Sequence, residues 1–144
     1  MPIKTLAPGI GVSGQVDAAS IAAAKAAGFR TIINNRPDRE EPGQLSSAEL
    51  EAQARAAGFD YRHIPVAPGQ YDDADIDRFC DAMGGCQGPA LAFCKSGMRA
   101  TSLWALSQAG KLPVDAILRQ ASACGYDLVP LIPQIEARAK RARD

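Results

Sequence analysis

The chain has little of what usually marks a specialised protein. Its 16 basic side chains are matched by 16 acidic ones, so it carries no formal net charge. That balance supplies no general attraction to nucleic acid or to an anionic membrane. No apolar run approaches the roughly 20 residues that cross a bilayer. The opening Met1-Pro2-Ile3-Lys4 lacks a secretory hydrophobic stretch. The four cysteines, Cys80, Cys86, Cys94 and Cys124, form no C-x-x-C pair of the zinc type. They are expected as reduced thiols in a cytoplasmic protein, with no metal and no cofactor. There is one histidine, no internal repeat, no low-complexity segment and no linker. The basic cluster Arg138, Lys140, Arg141 and Arg143 reads as a solvated helix end, where cations suit the helix dipole.

What remains is ordinary globular material, 47% hydrophobic and 22% charged over 144 residues, enough for one domain with a proper core. Strand and helix signals alternate. Strands are expected at 9–13, 29–34, 60–66 and 89–93. Helices are expected from the Asp17 cap to Ala27, and from the Ser46/Glu49 capping box to Gly58. Further helices should run from Asp72–Asp73 to near Gly84 and over 100–109. Another, with Pro113 in its first turn, should end at Gly125. A last helix should follow Pro130 and Pro133. This order predicts an α/β domain spanning 1–144, a mainly parallel central sheet with helices on both sides.

The segment Ala90-Leu91-Ala92-Phe93-Cys94-Lys95-Ser96-Gly97-Met98-Arg99 stands apart. A short apolar run typical of a central parallel strand leads into a cysteine, a cationic loop and a helix. Ligands of open α/β sheets sit beyond the carboxyl ends of strands. A helix N-terminus there offers unpaired N–H groups and positive potential. Both favour a thiolate at Cys94, and Lys95 and Arg99 add to the effect. Gly97 permits a conformation closed to other residues, and Arg99 can grip two oxygens of a sulfate- or phosphate-like anion. Lys95, Ser96, Gly97 and Met98 would then line the substrate. Cys80, Cys86 and Cys124 have no such loop, although Cys86 is a candidate to resolve an oxidised Cys94.

Other residues join the candidate rim. Arg36, after the second strand, would widen the anion pocket, and Asp38 would orient Arg36 or Arg99. A polar loop with internal ion pairs is the alternative. His63 is either a base for Cys94 or a packed or edge residue of its strand. Tyr71 would line the mouth, and Trp104 is expected in the core.

Val12-Ser13-Gly14-Gln15, the stretch GFRTIINNRPD at 28–38, His63-Ile64-Pro65-Val66 and CKSGMRATSLW at 94–104 together resemble a bacterial family. It is the phosphatase-like domain found alone or fused to a metallo-β-lactamase-fold hydrolase, the β-lactamase hydrolase-like proteins. The resemblance implies a fold like the protein tyrosine and dual-specificity phosphatases, with Cys94 as nucleophile and Arg99 as anion clamp. Cysteine phosphatases place a histidine before the cysteine and five residues before the arginine. Here Phe93 precedes Cys94 and four residues separate it from Arg99, a spacing similar to rhodanese-type sulfurtransferases. Phosphatases of this kind also place a serine or threonine just after the arginine; here Ala100 stands there, with Thr101 next and Ser96 as a candidate substitute. The expected general-acid loop offers only Asp72 and Asp73, which read as helix caps.

The sequence therefore favours a sulfurtransferase. Cys94 would take a sulfur atom from thiosulfate or a low-molecular-weight persulfide and pass it on, with a persulfide dioxygenase as a candidate partner. A phosphatase acting through phosphocysteine on a small anionic phosphoester is the alternative. An oxyanion-binding or redox-sensing module is a third reading.

Overall fold

A computed structural model describes the backbone of residues 3–86 and 88–143. Met1, Pro2, Gln87, Asp144 and the side chains of Ala142 and Arg143 lie outside the description. The strands are β1 (Lys4–Ala7), β2 (Ile10–Ser13), β3 (Thr31–Asn34), β4 (Asp60–His63) and β5 (Ala90–Phe93). The helices are α1 (Ala18–Ala26), α2 (Ser47–Ala56), α3 (Asp73–Gly85), α4 (Met98–Ser107), α5 (Val114–Ala123) and α6 (Ile132–Arg143). The sheet order is β1-β2-β5-β3-β4. Every pairing is parallel except β1 with β2. The expected α/β architecture is present, with one added edge strand. β1 pairs antiparallel at the sheet border, and its KTLA sequence carries too few residues for a clear period-2 signal.

The sheet packs on both faces, as its alternation demands. Ile32, Leu91 and Phe93 face a core shared with Ile21 and Ala24 of α1 and Leu50 and Ala54 of α2. Val12, Ile33, Ala90 and Ala92 face the opposite core, with Ile76 and Phe79 of α3, Leu103, Trp104 and Leu106 of α4, Ile117 of α5 and Ile135 of α6. The small Ala90 and Ala92 side chains leave room for α4 to lie close to the sheet. Every residue of α4 from Arg99 to Ser107 is buried.

The capping chemistry appears as read. Asp17 accepts from the Ser20 N–H at 2.9 Å, and Ser46 accepts from the Glu49 N–H at 3.1 Å. Several boundaries move, among them β3, which starts at Thr31 rather than at 29, and α4, which ends at Ser107 rather than at 109. The strand expected over 60–66 ends at His63, because the Ile64 and Val66 N–H groups turn to the carbonyls of Asn34 and Asn35. The helix expected from Ala100 begins at Met98, so Arg99 sits in its first turn rather than in the loop. Pro133 lies inside α6, in the first turn, where a missing N–H costs nothing. Arg138 and Arg141, read as a solvated helix end, instead pair with α3. Arg138 binds Asp73 at 2.9 Å and Asp77 at 3.2 Å, and Arg141 also binds Asp73. No described helix is long and apolar enough to cross a membrane.

Register places the functional rim. Ser13 pairs with Phe93, Phe93 with Asn34, and Asn34 with His63. Four parallel strands thus finish at one level, and the segments after them open on the same edge.

Candidate active site

Cys94 follows β5 with no exposed surface. Its sulfur accepts the Gly97 N–H at 3.1 Å, a charge-assisted contact when the thiol is ionised. Gly97 makes that turn with φ at +94°, the left-handed region. There is no space for a side chain either, since a Cβ would overlap the Tyr126 hydroxyl. The Thr101 hydroxyl and N–H both donate to the Gly97 carbonyl, at 2.8 and 2.9 Å. Thr101 therefore locks the loop backbone rather than facing the sulfur. Ser96 Oγ accepts weakly from the Met98 N–H at 3.4 Å. Met98 is exposed at the mouth.

Arg99 is only 6% exposed, and its donors are apportioned. Nη1 donates to Glu40 Oε2 at 2.7 Å and to the Val66 carbonyl at 3.0 Å, while Nη2 donates to Glu40 Oε1 at 3.0 Å. A guanidinium has five N–H groups. These bonds leave Nε and the second Nη2 hydrogen, which form one side-on fork. A fork of that shape suits two oxygens of a tetrahedral anion. Burial works against the Arg99 charge, but the Glu40 hydrogen bonds and the Cys94 and Glu40 charges prevail and hold its pKa above the ordinary value.

Glu40 is shared. Arg36 Nε donates to Glu40 Oε1 at 2.7 Å and Arg36 Nη1 to Gln15 Oε1 at 2.8 Å. Arg36 Nη2 lies 3.0 Å from Glu41 Oε1 without an aligned hydrogen bond. The Arg99 hydrogen bonds, opposed by burial and reinforced by Arg36, hold the Glu40 carboxyl below its usual range. Glu41 also approaches Lys95 Nζ, at 3.5 Å. Arg36 is 1% exposed. It braces Glu40 from behind, where the sequence suggested a cation widening the pocket.

The remaining candidates fall elsewhere. Asp38 accepts the Ser47 N–H at 2.7 Å, at the start of α2, and does not orient either arginine. His63 is exposed, with Nε2 2.9 Å from the Arg36 carbonyl. Asp72 caps α3 through the Asp75 N–H at 2.8 Å, and Asp73 is held by Arg138 and Arg141. Trp104 is in the core. Tyr71 is 9% exposed and close enough to Arg99 to bear on its charge. Cys86 caps the end of α3, before β5, and Cys94 follows β5. A four-residue strand, about 13 Å long at 3.3 Å per residue, lies between the two positions along the chain.

Among the residues of this site that escaped the sequence are Glu40, Glu41 and Tyr126. Glu40 sits four places after Arg36, a spacing that hints at pairing, but nothing local ties it to Arg99, 59 residues away. Tyr126, after α5, donates to the Ser96 carbonyl at 2.9 Å. No motif surrounds it. Among the described residues, no group of three or more histidine, cysteine, aspartate or glutamate side chains is arranged to hold a metal.

Residues 2–111 match the family described as "Beta-lactamase hydrolase-like protein, phosphatase-like domain". The chain belongs to that family. It is 40% identical over 119 residues to the Beta-lactamase hydrolase-like protein of Agrobacterium fabrum, covering 81% of this chain and 28% of that protein. The chain thus spans about a third of the length of the curated relatives it matches. A crystal structure of a candidate phosphatase from Neisseria meningitidis Z2491 superposes with a TM-score of 0.87 at 32% identity, covering 96% of this chain and 99% of the other. Tk-PTP in its active form superposes with a TM-score of 0.70 at 13% identity, covering 96% of each chain, a likeness of fold. The fold of this phosphatase-like domain is that of the protein tyrosine phosphatases.

Proposed function

We propose that this phosphatase-like domain is a cysteine-dependent phosphatase. Cys94 is its nucleophile and Arg99 its anion clamp. The observation that carries the reading is the side-on fork of Arg99, which Glu40 and Val66 leave without a partner among the described residues, near enough to the buried Cys94 for the two charges to interact. A phosphoryl group between them would present two oxygens to the fork and its phosphorus to the sulfur. The Cys94 thiolate attacks phosphorus, the bond to the leaving oxygen breaks, and water then cleaves the S–P bond to release phosphate. The family and its phosphatase-named neighbours support this over sulfur transfer, which the sequence favoured.

No carboxylic acid stands free at the mouth among the described residues. Asp72 and Asp73 are engaged, and Glu40 is ion-paired between two arginines. The leaving oxygen therefore departs without a strong acid, and substrates with acidic leaving groups, such as aryl phosphates, are favoured. The test is hydrolysis of an aryl phosphate series. The expected result is vanadate-sensitive turnover, lost in Cys94→Ser, rising steeply as the leaving phenol becomes more acidic. A flat dependence would remove the missing-acid argument.

The four-residue spacing from Cys94 to Arg99 favours a second reading, sulfur transfer through a Cys94 persulfide. Its signature is one added sulfur atom in the intact mass after thiosulfate treatment, absent in Cys94→Ser, with no phosphate released from any ester.

A further inference from the structure

The peptide unit joining Ser96 to Gly97 has two partners on opposite sides. Its N–H donates to the Cys94 sulfur at 3.1 Å, and its carbonyl accepts the Tyr126 hydroxyl at 2.9 Å. Tyr126 comes from the segment after α5, an element with no other role in the site. Its hydroxyl also fills the space a Cβ at Gly97 would occupy. The Lys4 ammonium lies 5.4 Å from the ring centroid and donates to the Cys124 carbonyl at 2.8 Å, which fixes the segment beneath the ring.

We propose that Tyr126 is a positioning residue that sets the ionisation of Cys94 through this one peptide. The reading rests on Cys94 as the reacting thiol. A hydrogen bond accepted by a carbonyl polarises the N–H of the same peptide and makes it a better donor. It also fixes the peptide plane, so the N–H stays aimed at the sulfur instead of swinging toward solvent. The gain goes to the charged form of the acceptor, because a thiolate accepts more strongly than a thiol. The coupling is reciprocal. Burial, then the Cys94 and Cys124 charges, push the Tyr126 phenol above its ordinary value, so it stays a donor at neutral pH.

The other charged groups near Cys94 are Arg99 with Glu40 behind it and Lys95 paired to Glu41, and the Tyr71 phenol bears on Arg99. None touches the Ser96 carbonyl, so removal of the Tyr126 hydroxyl isolates the peptide relay.

The experiment titrates Cys94 by thiolate absorbance in wild type, Tyr126→Phe and Tyr126→Leu, each subtracted from its Cys94→Ser counterpart. Urea melts establish that every variant is folded. Both variants should move the Cys94 midpoint upward by about 0.3 to 1 pH unit, with the acid limb of kcat/KM moving alongside. An unmoved midpoint in folded Tyr126→Phe overturns the proposal while leaving Cys94 as the nucleophile. A shift in Tyr126→Leu alone also overturns it, because ring packing would then be the cause. Aryl phosphatase activity surviving in Cys94→Ser would sink the Cys94 reading itself, and the relay with it.

Discussion

The loops after β5 and after β3 meet at one point but are built on opposite terms. The β5 loop is short, cationic and backed by a helix N-terminus, and it presents the Cys94 sulfur and the Arg99 fork. The β3 loop is longer and brings Glu40 and Glu41 up behind those cations. It is stitched to the sheet by Asn35, whose N–H donates to the Phe93 carbonyl at 2.8 Å and whose amide donates to the Ile64 carbonyl at 3.0 Å. One loop carries the groups proposed to react and the other holds a counter-charge on the far edge of the guanidinium. A buried arginine without that partner would be costly, and an arginine gripped on the substrate edge would be useless. Glu40 takes the Nη1–Nη2 edge and leaves the side-on fork proposed for substrate.

The largest effects should come from the β5 loop. Cys94→Ser should abolish phosphate release, and Arg99→Lys should lower kcat by about 10² to 10³-fold, because an ammonium cannot offer two aligned donors. Steady-state kinetics on an aryl phosphate checks both, and an Arg99→Lys protein within tenfold of wild type would deny the fork its role.

Glu40→Gln tests the partner loop. It leaves Arg36 and Arg99 buried without their shared carboxylate, so stability should fall by about 3 kcal/mol. kcat should drop about 10 to 100-fold as the guanidinium loses its alignment. If kcat holds while stability falls, the β3 loop is a strut and nothing more.

A pH series sharpens the same contrast. The Glu40 carboxyl is depressed in the folded protein below the ordinary 4.5. Its stabilisation is therefore complete above that value and is lost as pH falls through the lower folded value. The urea-melt difference between wild type and Glu40→Gln should stay level at neutral pH and shrink under acid conditions below pH 4.5. A difference that persists at low pH would mean that the glutamate acts through packing rather than charge.

Glu41→Gln should do least. Glu41 is itself exposed, as is its partner Lys95, and buried Arg36 keeps Glu40 and Gln15, so KM should move less than about fivefold and only at low ionic strength. Asp72→Asn and Asp73→Asn should leave kcat unchanged, since one carboxylate caps α3 and the other joins α3 to α6. A large loss in either variant would restore a catalytic acid to this stretch.

The β5 half of the site could be read from sequence because its parts are contiguous. Strand, cysteine, left-handed glycine and helix N-terminus follow one another, and each has a local signature. The same holds for the caps at Asp17, Ser46 and Asp72. Arg36 and Asp38 were placed on the correct rim, but which way each side chain turned depends on tertiary partners. Asp38 found a helix N-terminus nearby, and Arg36 found Glu40, Glu41 and Gln15. Tyr126 was invisible because its partner in the loop is 30 residues earlier in the chain. β1 escaped because four residues pairing along one edge leave almost no pattern.

The burial of α4 from Arg99 to Ser107 has a consequence for how the protein should fail. Loops that carry chemistry often loosen before the body of a protein melts. Here the loop ends inside the helix least able to fray, with Arg99 to Ser107 all enclosed. Its amide protons should be among the slowest to exchange with deuterium, opening only when the whole domain unfolds. Thermal inactivation and global melting should then follow one curve.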